Sequence, residues 1–198
     1  MTLPRFYPVF DSAAWVARSV RLGARLVQLR IKDRPEQELR REISEALDIC
    51  RRHGATLVVN DYWRLAIALG AEWLHLGQED LDTADIAAIR RAGLRLGLST
   101  HDDAECDRAL ALAPDYVALG PIYPTILKKM PWAPQGLDRL AEWKRRAGDT
   151  PLCAIGGMSV ERAPAAFAAG ADLIAVVTDI TLHSDPDARM RDWLRVCA

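Results

Sequence analysis

Residues 54–80 read Gly-Ala-Thr-Leu-Val-Val-Asn-Asp-Tyr-Trp-Arg-Leu-Ala-Ile-Ala-Leu-Gly-Ala-Glu-Trp-Leu-His-Leu-Gly-Gln-Glu-Asp. Twice in this stretch a Gly-Ala pair leads into a short apolar run. Each run ends in polar residues, Asn60-Asp61 after the first and His75, Gln78, Glu79 and Asp80 at and beyond the second. Between them, residues 62–69 leave room for about two helical turns. Strand, short helix and strand in that order form the unit of a parallel sheet.

The unit recurs in both directions. Gly23-Ala24 precedes a run at 26–29, Gly93 one at 94–98, and Pro114 one at 116–119. Pro151 precedes a run at 152–155, and Gly170-Ala171 one at 173–177. With residues 6–10 and the runs at 57–59 and 73–76, the chain holds eight. The runs are short and continuous, as suits strands buried on both faces. Helical spacing is clearest over 35–52, where Leu39, Ile43, Leu47 and Cys50 share a face. Residues 83–91, 102–112, 137–147, 160–169 and 186–194 follow the same pattern, and glycine commonly stops these helices. Eight such units predict a closed (β/α)8 TIM barrel at the small end of that architecture. An open doubly wound sheet fits less well, because no Gly-x-Gly-x-x-Gly follows the first strand.

Composition sets the remaining limits. The 198 residues are 50% hydrophobic and 27% charged, with no low-complexity tract or linker. Residues 1–198 are therefore expected to form a single domain. Acids number 27 and bases 26, giving a net charge of -1 and no general attraction for nucleic acid. No run is long enough to span a bilayer, and the expected location is cytoplasmic. Cys50, Cys106, Cys153 and Cys197 form no CxxC pair and read as small buried hydrophobes. The four histidines lack metal-ligand spacing.

The strand ends differ in kind. Gly, Ala and Pro precede the runs, and chemistry follows them. Gln28, Arg30, Lys32 and Asp33 follow the second run, Asn60 and Asp61 the third, and Gln78, Glu79 and Asp80 the fourth. Ser99, Thr100 and His101 follow the fifth, Thr125 and Lys128 lie beyond the sixth, Gly156-Gly157 follows the seventh, and Thr178 the eighth. A barrel brings these to one rim, where such folds carry their sites. Arg30, Lys32 and Lys128 would stand there with Asp61 and Asp80. Cations mixed with two carboxylates suit Mg2+ bridging to a diphosphate. Gly156-Gly157 before a helix, with Thr178, suits a second anion held on backbone N–H groups. The rim then accommodates two phosphorylated small molecules. Residues 122–136, the longest connection without a clear helix, are expected to cover it.

Several segments in order resemble thiamine phosphate synthases, especially the proteobacterial type. They are Val27-Gln28-Leu29-Arg30-Ile31-Lys32-Asp33, Val59-Asn60-Asp61-Tyr62-Trp63-Arg64-Leu65-Ala66 and Leu74-His75-Leu76-Gly77-Gln78-Glu79-Asp80-Leu81. They continue with Leu98-Ser99-Thr100-His101-Asp102, Leu119-Gly120-Pro121-Ile122-Tyr123-Pro124-Thr125, Ala154-Ile155-Gly156-Gly157 and Ala175-Val176-Val177.

The resemblance implies joining of hydroxymethylpyrimidine diphosphate to a thiazole phosphate. It assigns Gln28, Leu29, Arg30, Ile31, Lys32 and Asn60 to the pyrimidine diphosphate, and Asp61 and Asp80 to Mg2+. Ser99 and Lys128 would contact the diphosphate or the pyrimidine. Thr125, Ile126, Leu127, Gly157, Val177 and Thr178 would hold the thiazole phosphate. Arg30, Lys32 and Lys128 would stabilise the leaving diphosphate. Small-molecule substrates are the implied partners, with no nucleic acid or membrane, and a homo-oligomer is left open. Two departures stand out. The family's Thr-x-Thr-Lys is here Thr125-Ile126-Leu127-Lys128, which loses one hydroxyl, and its Val-Ser is Val177-Thr178, which keeps one. A thiazole tautomerase of the same family would not need the cations and carboxylates, and a non-catalytic barrel would have lost them.

Overall fold

A computed structural model describes residues 3–126 and 132–198. Eight parallel strands close in chain order, with β8 pairing back to β1. They are β1 (Phe6–Phe10), β2 (Leu26–Leu29), β3 (Thr56–Asn60), β4 (Trp73–Leu76), β5 (Arg95–Thr100), β6 (Tyr116–Leu119), β7 (Leu152–Ala154) and β8 (Leu173–Val176). The connections carry α1 (Ala13–Leu22), α2 (Glu36–His53), α3 (Trp63–Ala68), α4 (Gln78–Leu81), α5 (Ile86–Arg91), α6 (Asp103–Ala111), α7 (Gly136–Ala147), α8 (Ala163–Ala168), α9 (Thr178–Thr181) and α10 (Pro186–Val196). This is the (β/α)8 barrel expected from the repeat.

Helix α1 lies outside the expected helices, although its signals are local. Ser12 accepts from the Trp15 amide at 3.4 Å, Val16 and Val20 are buried one turn apart, and Gly23 ends the helix at φ 116°. The four-residue helices α4 and α9 are too short to show a period. Helix α8 begins at Ala163 rather than near residue 160, because 160–162 form a turn.

Alternation along the strands makes two cores. Outward residues such as Val27, Val59, Leu74, Leu98 and Leu119 pack under the helices. Inward residues Tyr7, Val9, Leu26, Val58, Trp73 and Tyr116 fill the barrel with Ala118, Cys153, Leu173 and Ala175. At the amino-terminal mouth, Asp115 accepts from the Leu96 amide and Asp172 from the Leu152 amide, each at 2.7 Å. Each carboxylate satisfies an amide donor at the start of a neighbouring strand, and Arg90 pairs with Asp115 and Lys144 with Asp172. All four cysteines are free; Cys50, Cys106 and Cys153 are buried. Among the described residues no helix is long and apolar enough to cross a membrane.

One inner position fixes the filling of the barrel. Tyr116 is fully buried, and its ring crosses to β5 at Gly97. A Cβ at Gly97 would stand 2.0 Å from Tyr116 Cζ. Gly97→Ala should therefore displace the ring and lower stability by about 3 kcal/mol, the upper range for overpacking a core. In a chain of this length that is a fall in Tm of roughly 6–12 °C. A thermal melt within about 2 °C of wild type would contradict the packing described.

Candidate active site at the carboxyl end of the barrel

The carboxyl ends of the strands enclose a cavity of about 470 Å³. That volume suits a small-molecule ligand. Its two halves differ. The upper inward residues of β2 to β5 are Gln28, Asn60, His75 and Ser99, whereas β1 and β6 to β8 contribute Val9, Ala118, Cys153 and Ala175.

The charged residues gather on the polar half. Lys32 Nζ donates to Asp61 Oδ2. Asp61 adopts φ 66°, in the left-handed region that aspartate enters more readily than most residues. Its amide donates to the His75 carbonyl at 2.9 Å, which pins this conformation to β4. Asp80 accepts from the Gly77 amide at 3.2 Å. Burial first, and then the negative charge of Asp61, raise the Asp80 carboxyl above the usual carboxylate range. Arg30 lines the same side and makes no ion pair among the described residues. The two opposed carboxylates fit a hard divalent ion, whose charge would relieve their repulsion. Among the described residues no cluster of three or more His, Cys, Asp or Glu could hold a metal.

Beneath this lies a polar chain that the sequence does not disclose. Gln28 Nε2 donates to the Tyr7 hydroxyl at 2.8 Å, which meets the Tyr116 hydroxyl at 2.8 Å. The Tyr116 hydroxyl meets His75 Nδ1 at 2.7 Å, and His75 Nε2 meets Ser99 Oγ at 2.8 Å. Burial lowers His75 to about 4, so its ring is neutral at physiological pH. The geometry gives the ring partners within the barrel at both nitrogens. Asn60 Nδ2 and Gln78 Oε1 are buried without hydrogen-bond partners among the described residues.

Arg30, Lys32, Asn60, Asp61, Asp80, Ser99, Thr125, Gly157, Val177 and Thr178 all line the cavity, as does Gln28. Leu29 and Ile31 do not; their side chains lie in the core beneath the helices. Ile126 is 81% exposed. Leu127 and Lys128 lie outside the described residues, as does the middle of the expected cover over 122–136. At its far end Trp132 stacks on His101, with ring centroids 4.0 Å apart, and Glu105 holds His101 Nδ1 at 2.7 Å.

The second anion position changes in detail. Gly157 has φ 63°, and a Cβ there would stand 2.4 Å from the Pro124 carbonyl oxygen. Glycine is required because the sixth loop crosses it. The expected helix start does not follow directly, since α8 begins at Ala163. Thr178 opens a helix, α9, at this side of the rim.

The comparisons with known proteins agree with one another. A family model described as thiamine monophosphate synthase matches residues 6–180. A thiamine-phosphate synthase of Rhizobium etli is 62% identical over 198 residues, covering 100% of this chain and 97% of that protein. One from Cronobacter sakazakii is 56% identical over 179 residues, covering 90% and 85%. Among solved structures, thiamine phosphate pyrophosphorylase from Pyrococcus furiosus has a TM-score of 0.86 at 24% identity, covering 98% and 95%, which speaks for the fold.

The facing carboxylates have a consequence for the free protein. Asp80→Asn should raise Tm in metal-free buffer at pH 7, by no more than about 2 °C because the pair is partly exposed and water screens it. A raised carboxyl pKa destabilises the fold above that pKa, and the penalty fades as pH falls toward the unfolded value near about 4. The gain should therefore shrink as pH falls. An Asp80→Asn variant no more stable than wild type at pH 7 would refute the opposition of these carboxylates.

Proposed function

The chain belongs to the thiamine monophosphate synthase family and makes thiamine phosphate, and we propose that it does so by a dissociative displacement at the rim cavity. The pyrimidine diphosphate would occupy the polar half, against Gln28, Asn60 and Ser99, with its diphosphate toward Arg30 and Lys32. The thiazole phosphate would occupy the side of Thr125, Gly157, Val177 and Thr178. The observation that carries this reading is the grouping of Asp61, Asp80, Lys32 and Arg30 on one half of a two-sided cavity.

In the proposed reaction the pyrimidylmethyl carbon–oxygen bond breaks and its electron pair leaves with the diphosphate. The amino-substituted ring spreads the resulting positive charge. The thiazole nitrogen then forms the new bond. Arg30 and Lys32 offer donors to the charge that grows on the leaving group, joined by Lys128 from outside the described residues. Asp61 and Asp80 would hold Mg2+, which when bound supplies further neutralisation of the diphosphate. Lys32 also fixes Asp61 before substrate arrives. Holding both substrates in one cavity supplies much of the rate by proximity. The reading takes the whole chain as one domain acting in the cytoplasm on small molecules.

Incubation with both substrates and Mg2+ should release diphosphate and form thiamine phosphate. Asp61→Ala and Asp80→Ala should each lower turnover by about 10²-fold or more and weaken the response to Mg2+. An unchanged Mg2+ titration in both variants would sink the metal assignment. Gly157→Ala should raise the KM for the thiazole phosphate about 10-fold, a penalty of about 1.4 kcal/mol, and leave that for the pyrimidine nearly unchanged. Equal effects on both KM values would argue against two separate subsites.

A further inference from the structure

We propose that Tyr7, Tyr116 and His75 are positioning residues that fix the Ser99 hydroxyl as a hydrogen-bond donor toward the pyrimidine diphosphate. The inference rests on the placement of that substrate given above. It starts from a chain of five side chains, Gln28, Tyr7, Tyr116, His75 and Ser99, that crosses the barrel at separations of 2.7–2.8 Å.

The order of protons in this chain follows from its first member. An amide nitrogen can only donate, so Gln28 Nε2 gives its hydrogen to the Tyr7 oxygen. The Tyr7 hydrogen then has one described acceptor, the Tyr116 oxygen. Tyr116 in turn donates to His75 Nδ1. With Nδ1 accepting, a neutral imidazole carries its hydrogen on Nε2 and donates it to Ser99 Oγ. The Ser99 oxygen is satisfied from below, and its own hydrogen is left for the cavity that it lines.

The opposite order fails at Tyr7. If Ser99 donated to His75, His75 to Tyr116 and Tyr116 to Tyr7, the Tyr7 oxygen would receive two hydrogens. Its own would then have no acceptor among the described residues, the costly situation for a fully buried hydroxyl. The chain is also held in place sterically. Tyr116 lies against Gly97, where no side chain could be added without displacing the ring. Tyr7 and Tyr116 meet edge to face at 89°. A donor of fixed direction in the cavity that Arg30 and Lys32 also line suits an anionic leaving group, because no rotor must be ordered as charge develops.

The test is a double-mutant cycle on thiamine phosphate formation, using Tyr116→Phe, Ser99→Ala and the two combined. Tyr116→Phe should lower kcat about 10-fold and leave the KM for the thiazole phosphate within about twofold. In the Ser99→Ala background the same change should have no further effect, because its only route is through that hydroxyl. ¹⁵N NMR should show His75 protonated on Nε2 in wild type and a mixture of tautomers in Tyr116→Phe. If Tyr116→Phe does not fold, Tyr7→Phe carries the cycle, with an expected loss of about threefold that again vanishes without Ser99. Independent, multiplying losses would reduce Tyr116 to a packing role and overturn the proposal. Wild-type turnover in a folded tyrosine variant would overturn it too, and leave the assigned reaction standing. Failure of the wild-type protein to form thiamine phosphate would instead overturn the reading of the reaction, and this inference with it.

Discussion

The missing side chain at Gly97 lets the barrel hold its polar chain. A Tyr116 ring crossing the interior needs the space that a Cβ on β5 would take, 2.0 Å from the ring carbon that bears the hydroxyl. With that space granted, the hydroxyl reaches both Tyr7 and His75. Without it, the hydroxyls of Tyr116 and Tyr7 and the His75 ring would lose partners together, and a partly satisfied network is worse than an apolar core. The packing of the interior and the polarity of the cavity floor are thus one problem, solved by one glycine.

The same strand alternation that builds the two cores divides the cavity. On β2 to β5 the last inward residues are polar; on β1 and β6 to β8 they are small or apolar. Register carries this difference across the sheet, with Val9 beside Gln28 at one boundary and Ser99 beside Ala118 at the other. A one-residue slip of any polar strand would turn its cavity-lining polar side chain outward beneath the helices. The hydrogen bonds that close the barrel therefore also fix which chemistry faces each side of the cavity.

Much of this is legible in the sequence, for a definite reason. The repeat of small residue, apolar run and polar end is a one-dimensional trace of barrel geometry, so the strands and the rim can be read from local pattern. Asp61, Asp80, Arg30 and Lys32 fall to the rim by strand order alone. What is not legible depends on contacts between distant residues. Tyr7 and Tyr116 are separated by 109 residues, and each looks like an ordinary apolar strand residue until the barrel closes. Helix α1 is a different case: its cap and spacing are local, but its buried stripe is short and mixes Val16 and Val20 with Ala13 and Ser19, which blurs the apolar period. Helices α4 and α9 cannot be seen at all, because four residues do not make a period.

The two proposed anion positions are built by different means, and the difference follows from what each would bind. On the polar side, charged side chains are held against one another before ligand arrives: Lys32 with Asp61, and Asp61 against Asp80. Such a set would be poised for charge that changes during the proposed reaction, because an ion and a leaving group could take over interactions already strained. Near Gly157 and Thr178 the backbone does the work instead. A glycine under the Pro124 carbonyl, its own carbonyl held by Arg162, and a helix opening at Thr178 would give a cradle of fixed shape. A phosphate that only anchors its molecule needs constant shape more than adjustable charge. On the proposed placement, adjustable charge at one end and rigid backbone at the other would let one small barrel keep the reacting group and the anchoring group apart.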